Sequence, residues 1–318
     1  MEPIDQQPQP PAPRETGIPP PHTPSPIFWN PNGLRAGWRL LIYVLLVAGL
    51  SATVVLLIRA TFSIQQRGLP SVAMLIASEA VQFAVVFAAA VIMARIENRP
   101  TGVYGLPARE AFGGKFWMGF LFGLVEVSLL IGLIAAFGGY SFGPLALHGN
   151  EILRWALIHL VLFVFVGFFE EFLFRGYTQY TLAEGIGFWP AAFVLSLGFG
   201  AVHLSNPGEG WVGAASVAVV GLFFCFTLRR TGNLWYAVGL HASFDWGETF
   251  LYSVPNSGAV IQGHLSDALL HGPKWLTGGT VGPEGSVFCF LTMGLQFLVV
   301  LLLFPKKKTD PAIEGGLV

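Results

Sequence analysis

The sequence predicts an all-α fold, a multi-pass transmembrane helical bundle of about eight spans with both termini cytoplasmic. Three observations predict it. Of 318 residues, 53% are hydrophobic and only 11% charged, where a soluble domain carries about a quarter charged residues. Apolar runs of spanning length recur from Leu40 onward, and the basic residues collect on alternate connections. The composition excludes a disordered chain, a nucleic-acid binder and an ordinary cytosolic enzyme. A net charge of −1 offers nothing to a polyanionic partner. Cys225 and Cys289 both lie within apolar runs and read as neither a disulfide framework nor a zinc ribbon.

The elements follow in chain order. Residues 1–34 form a Pro-rich tail with almost no apolar side chains to bury, so the segment is expected to stay extended, as a solvated leader or a ligand for a proline-binding partner. It is not a signal peptide, because no apolar core follows a basic start. A crossing needs about 20 apolar residues. The runs that supply them are Leu40–Ile58, Ser71–Met93, Phe116–Phe137, Trp155–Phe174, Phe188–Val202, Val212–Leu228, Leu234–Leu251 and Val287–Phe304. They divide into N-terminal helices over 35–150, a central unit over 151–252, and a long loop, last helix and basic tail over 253–318. Within that loop the stretch Ser253–Gly285 is expected to hold a short surface or re-entrant helix around Ser266–Leu276. With the N-terminus inside, the cytoplasmic segments hold Arg35, Arg39, Arg95, Arg99, Arg109, Lys115, Arg229, Arg230, Lys306, Lys307 and Lys308. The opposite side holds Arg59, Arg67, Arg154 and Lys274.

A charge at mid-membrane costs about 3 kcal/mol even on lenient scales, so each one needs a reason. The segment from Gly167 to Tyr177 contains Glu170, Glu171 and Arg175. Glu171 and Arg175, acid before base at i, i+4, read as a structural pair. Glu170 lies about 100° around the helix and has no partner there. His203 ends the next run, and Glu170 and His203 are equidistant from the turn expected at Gly185-Ile186-Gly187. An antiparallel hairpin therefore brings them to one depth, provided the fourth helix runs on to near Ala183. His241 and Asp245, again i, i+4, start about ten residues after the basic turn Arg229-Arg230 and so belong to the inner half. Glu79, Glu126 and His159 stand alone in their spans and are expected to make helix-to-helix hydrogen bonds, with a supporting role open to His159.

The signatures Glu170-Glu171-x-x-x-Arg175, Phe199-x-x-x-His203 and His241-x-x-x-Asp245, in that order on consecutive apolar runs, resemble those of the CPBP (CAAX protease and bacteriocin-processing, or Abi) intramembrane proteases. That family includes the endopeptidase that trims prenylated CAAX proteins. The resemblance covers roughly Trp155 to Leu251. It implies an intramembrane endopeptidase in which Glu170 activates water, His203 holds that water, and His241 with Asp245 stands where charge develops on the scissile carbonyl. An ionised Asp245 would repel an oxyanion, so it is expected either to orient His241 and keep it protonated or to be protonated itself. No cofactor is required by this version. The second version is a zinc site on Glu170, His203 and His241, a ligand set with one position open. The substrate implied is a membrane-embedded or membrane-anchored peptide or protein, in a bacterial cytoplasmic membrane and with no nucleic-acid partner. Two other readings stand beside it: a non-catalytic binding or immunity scaffold, and a proton-coupled transporter using Glu79, Glu126 and Glu170. The transporter is disfavoured because these carboxylates show no repeated placement.

Overall fold

The computed structural model describes residues 27–30, 33–61 and 71–305. The Pro-rich reading of residues 1–26, together with Arg67, Lys306, Lys307 and Lys308, lies outside the described residues. Near the N-terminus β1 (Trp29–Asn30) pairs antiparallel with β2 (Gly33–Leu34).

From Ala36 onward the chain is helical, and every apolar run of the sequence is a helix. They are α1 (Ala36–Thr61), α2 (Val72–Ile96), α3 (Gly114–Ala136), α4 (Asn150–Arg175), α5 (Tyr177–Ile186), α6 (Phe188–His203), α7 (Trp211–Thr231), α8 (Trp235–Trp246), α9 (Lys274–Thr277) and α10 (Val287–Leu303). Among the described residues five helices are long and apolar enough to cross a membrane, counting α4 and α5 as one. The chain is an integral membrane protein with an all-helical body. The expected count of eight is not reached by length. The helices α6 and α10 are shorter apolar helices, and α8 has 12 residues before a π-helical turn, Gly247–Leu251.

Two further differences from the sequence expectation have local causes. The fourth helix does continue beyond Arg175, but it breaks at Gly176 and resumes as α5. A Cβ at Gly176 would stand 2.4 Å from the Phe172 carbonyl oxygen, so only glycine allows the bend. The hairpin then reverses at Gly187, whose φ of 87° is open to glycine. Second, of the residues Ser266–Leu276 only the last three are helical, in α9. Tyr140–Ser141 (β3) pairs with Leu269–Leu270 (β4), and Leu145 bridges to Ser266, so the long loop is tied to the α3–α4 connection by strand pairing. Only the single turn α9 follows.

The seam between α3 and α8 positions the site. Gly119 and Gly123 on α3 meet Gly239, Ser243 and Gly247 on α8 and its extension, all at four-residue spacing. A Cβ at Gly119 would lie 2.0 Å from the Tyr236 carbonyl, and one at Gly239 would lie 2.1 Å from that of Phe116. Small residues at i, i+4 let helix backbones touch, which is the main source of packing energy where lipid removes the hydrophobic drive. The two helices run in the same direction in a fixed register, Gly123 against Ser243 and Val127 against Gly247.

Candidate active site

Four of the six sequence-predicted residues, Glu170, His203, His241 and Asp245, line one cavity of about 610 Å³. The other two are not part of its lining. Glu171 and Arg175 are fully buried, with Arg175 Nη1 3.4 Å from Glu171 Oε1. The guanidinium sits over the Phe199 ring, 4.3 Å from its centroid. Gly221 makes room for it, since a Cβ there would stand 2.7 Å from Nη2.

The i, i+4 pairing of Glu171 with Arg175 is as the spacing requires, yet it is only half of what Glu171 does. His241 Nδ1 donates to Glu171 Oε1 across 3.0 Å. Asp245 Oδ2 stands 3.5 Å from Nε2 as an i, i+4 ion pair, while the hydrogen bond that fixes the ring runs from Nδ1 to Glu171. Glu170 Oε2 stands 3.7 Å from the same Nε2. Three carboxylates thus face one imidazole. The ring is also held flat against Phe224, at 5.3 Å and 16°. Because Nδ1 is spent on Glu171, Nε2 is the nitrogen left for the cavity.

His203 closes α6. Its Nδ1 donates to the Phe199 carbonyl over 2.8 Å, one turn back on the same helix. In the neutral ring this leaves Nε2 as an acceptor. Glu170 and His203 share the cavity wall, and the nearest ionisable partner of Glu170 is His241.

The three solitary residues behave differently from one another. His159 donates to the Trp155 carbonyl of its own helix, and Glu79 accepts from Gln82 of its own helix. Among the described residues neither makes the helix-to-helix bond expected of it. Glu126 is 1% exposed and neither carboxylate oxygen has a hydrogen-bond partner. Both glutamates line the cavity.

Sequence reasoning missed the contribution of the long loop. Asn256, Ser257 and Glu284 also line the cavity. Asn256 donates to Glu248 Oε2, and Ser257 donates through its backbone N–H and hydroxyl to Glu284. Burial pushes the Glu284 carboxyl, in the loop before α10, up to about 7. The one sequence signal was Glu248, three residues beyond Asp245 and so on its helical face.

Among the described residues, no three His, Cys, Asp or Glu side chains are gathered as ligands of a metal ion. The zinc set Glu170, His203 and His241 therefore does not fit this geometry.

The comparisons with known proteins bear on this same segment. Residues 152–247 match the family profile described as Type II CAAX prenyl endopeptidase Rce1-like. The CPBP resemblance holds. The match takes in all six site residues, from the first turn of α4 to the end of α8, and the matched family is one of proteases. No curated protein and no solved structure matches the chain.

Proposed function

We propose that the chain is an intramembrane endopeptidase that hydrolyses a peptide bond of a membrane-associated peptide or protein. The observation that carries it is the arrangement around His241: Nδ1 fixed by buried Glu171, and Nε2 presented to a cavity beside Glu170. Glu170, a quarter exposed where Glu171 is sealed, is the carboxylate free to act as base. It takes a proton from water as the water oxygen bonds to the scissile carbonyl carbon. The oxyanion that forms accepts from His241 Nε2–H, a contribution of about 3 kcal/mol for a well-placed donor. Glu170 then returns the proton to the leaving amine as the C–N bond breaks. His203 Nε2 accepts from the attacking water and orients it.

Glu170→Gln is expected to lower turnover of a cleaved peptide by about 10²–10⁴-fold with the fold intact, and His203→Ala to do the same less completely. Full cleavage by a well-folded Glu170→Gln protein would overturn the assignment of Glu170 as base, and absence of cleavage by the wild-type chain would leave the non-catalytic scaffold reading. A monodisperse elution profile and an unchanged melting curve establish the fold.

The basic residues Arg95, Arg99, Arg109, Lys115, Arg229 and Arg230 lie at helix ends on the side of the bundle opposite the loops 204–210 and 252–286. By the charge rule that basic end is cytoplasmic, in a bacterial inner membrane on our reading. The wall formed by Asn206, Asn256 and Glu284 then opens the cavity toward the far side, while His241 stays within two turns of the cytoplasmic end of α8. An impermeant maleimide added outside intact cells should label Asn206→Cys and spare Arg109→Cys. The reverse pattern refutes the orientation.

A further inference from the structure

The cavity of the proposed active site carries more acid than that mechanism uses. Five carboxylates line it, from Glu79, Glu126, Glu170, Asp245 and Glu284, against two histidines and no lysine or arginine. Glu170 is the proposed base. Glu79 is held by Gln82, Asp245 faces His241, and Glu284 is held by Ser257. Glu126 is different. It is 1% exposed, it lines the cavity, and neither of its oxygens accepts a hydrogen bond. An ionised carboxylate buried without a partner is costly, and a buried polar group left unsatisfied in the free protein calls for an explanation, such as a ligand that pairs with it.

Its position is set by the glycine seam. Gly123 lies against Ser243 and Val127 against Gly247, which puts Glu126 at the level of Asp245, one turn from His241. Leu240, Phe244 and Met293 complete an apolar wall nearby.

We propose that Glu126 is a specificity-determining residue that receives a cationic group of the substrate, a lysine or arginine side chain close to the scissile bond. The inference rests on the endopeptidase reading and names its substrate class. A long basic side chain matches both parts of the wall, its methylene stem against Leu240, Phe244 and Met293 and its charged head on the carboxylate. An uncharged side chain in that place leaves Glu126 unpaired. A site built around a buried polar group discriminates most strongly against the analogue that fails to pair with it.

The test uses short, otherwise apolar fluorescent peptides in lipid nanodiscs, with one lysine moved along the chain and norleucine at the same position in the control. Binding is measured to Glu170→Gln protein, so that cleavage does not intervene. At one position lysine should bind about tenfold more tightly than norleucine or better, and the ratio should fall to near one when Glu126→Gln is added. Equal binding of lysine and norleucine peptides, or a preference that survives Glu126→Gln, overturns the proposal. If Glu126→Gln does not fold, Glu126→Asp decides, because a shorter carboxylate must reduce the ratio and an unchanged ratio is a refutation. Cleavage by the wild-type chain is scored separately. A lysine preference in binding without any cleavage sinks the endopeptidase reading and leaves the cation site standing. Cleavage without a preference does the opposite.

Discussion

Two groups of charges sit in the same apolar bundle and are built on opposite terms. At the basic end, Arg39 and Arg99 meet Glu97 and Glu184. Arg39 Nε and Nη2 grip the two oxygens of Glu97 at 2.9 and 2.5 Å, and Tyr177 donates to the same carboxylate at 2.5 Å. Arg99 bonds Glu184 at 2.6 Å and also reaches Tyr180. Two cations face two anions, and the pairing pins α1, the end of α2 and α5 to one another. Around His241 the ledger of charge does not close: Glu170, Glu171 and Asp245 surround one imidazole, and only Glu171 has a second cation in Arg175. Where charge is structural the chain neutralises it; where it is left over, the imbalance is available for chemistry.

The sharpest way to break this contrast is Glu97→Ala. It takes two charge-assisted hydrogen bonds from the buried Arg39 guanidinium and leaves it with Glu184 alone, and losing one partner of a buried pair costs up to about 3–5 kcal/mol. Chemical denaturation in mild detergent should show that loss, while kcat per folded molecule stays as it was. A fall in kcat with unchanged stability would mean the two clusters are not separate.

Glu171→Gln should act the other way. It keeps the volume but removes the carboxylate shared by His241 Nδ1 and the buried Arg175, so stability falls as well, and kcat per folded molecule should fall by about 10–100-fold with KM nearly constant. The ¹⁵N shift of His241 Nδ1 should change with it, a signature that a packing role for Glu171 would not produce.

The smallest expected effect concerns Glu284. Its carboxyl is held near 7 against an ordinary value of 4.5. A carboxyl raised on folding binds more protons in the native state, so its contribution to stability is full below about 4.5 and is lost as pH rises through about 7. Glu284→Gln should flatten the stability profile across that window, as read by melting temperature at successive pH values. A profile parallel to that of the wild type would show the burial of Glu284 to be immaterial.

Much of this was legible in the sequence because apolar runs and i, i+4 spacing are local. Each run became a helix, and the turn expected at Gly185-Ile186-Gly187 falls at Gly187. What length could not settle was how far each helix crosses, since α6, α8 and α10 are short and finish in loops or a π turn. The hydrogen bond from His241 to Glu171 was hidden because Glu171 already had a partner in its own helix. Strand β4 was unreadable, as two residues carry no period. Glu126 and Glu284 were visible as charges, but only the parallel α3–α8 register and the folded loop bring them to the cavity.

The glycine seam has a consequence for motion. Backbones in direct contact have no side-chain layer on which to slide, so α3 and α8 travel as one rigid beam. Glu126, His241 and Asp245 all ride on that beam. Any opening wide enough to admit a polypeptide must therefore happen at other joints, and it will present the carboxylate of α3 and the imidazole of α8 to the arriving chain at a constant separation, like two teeth on a single comb.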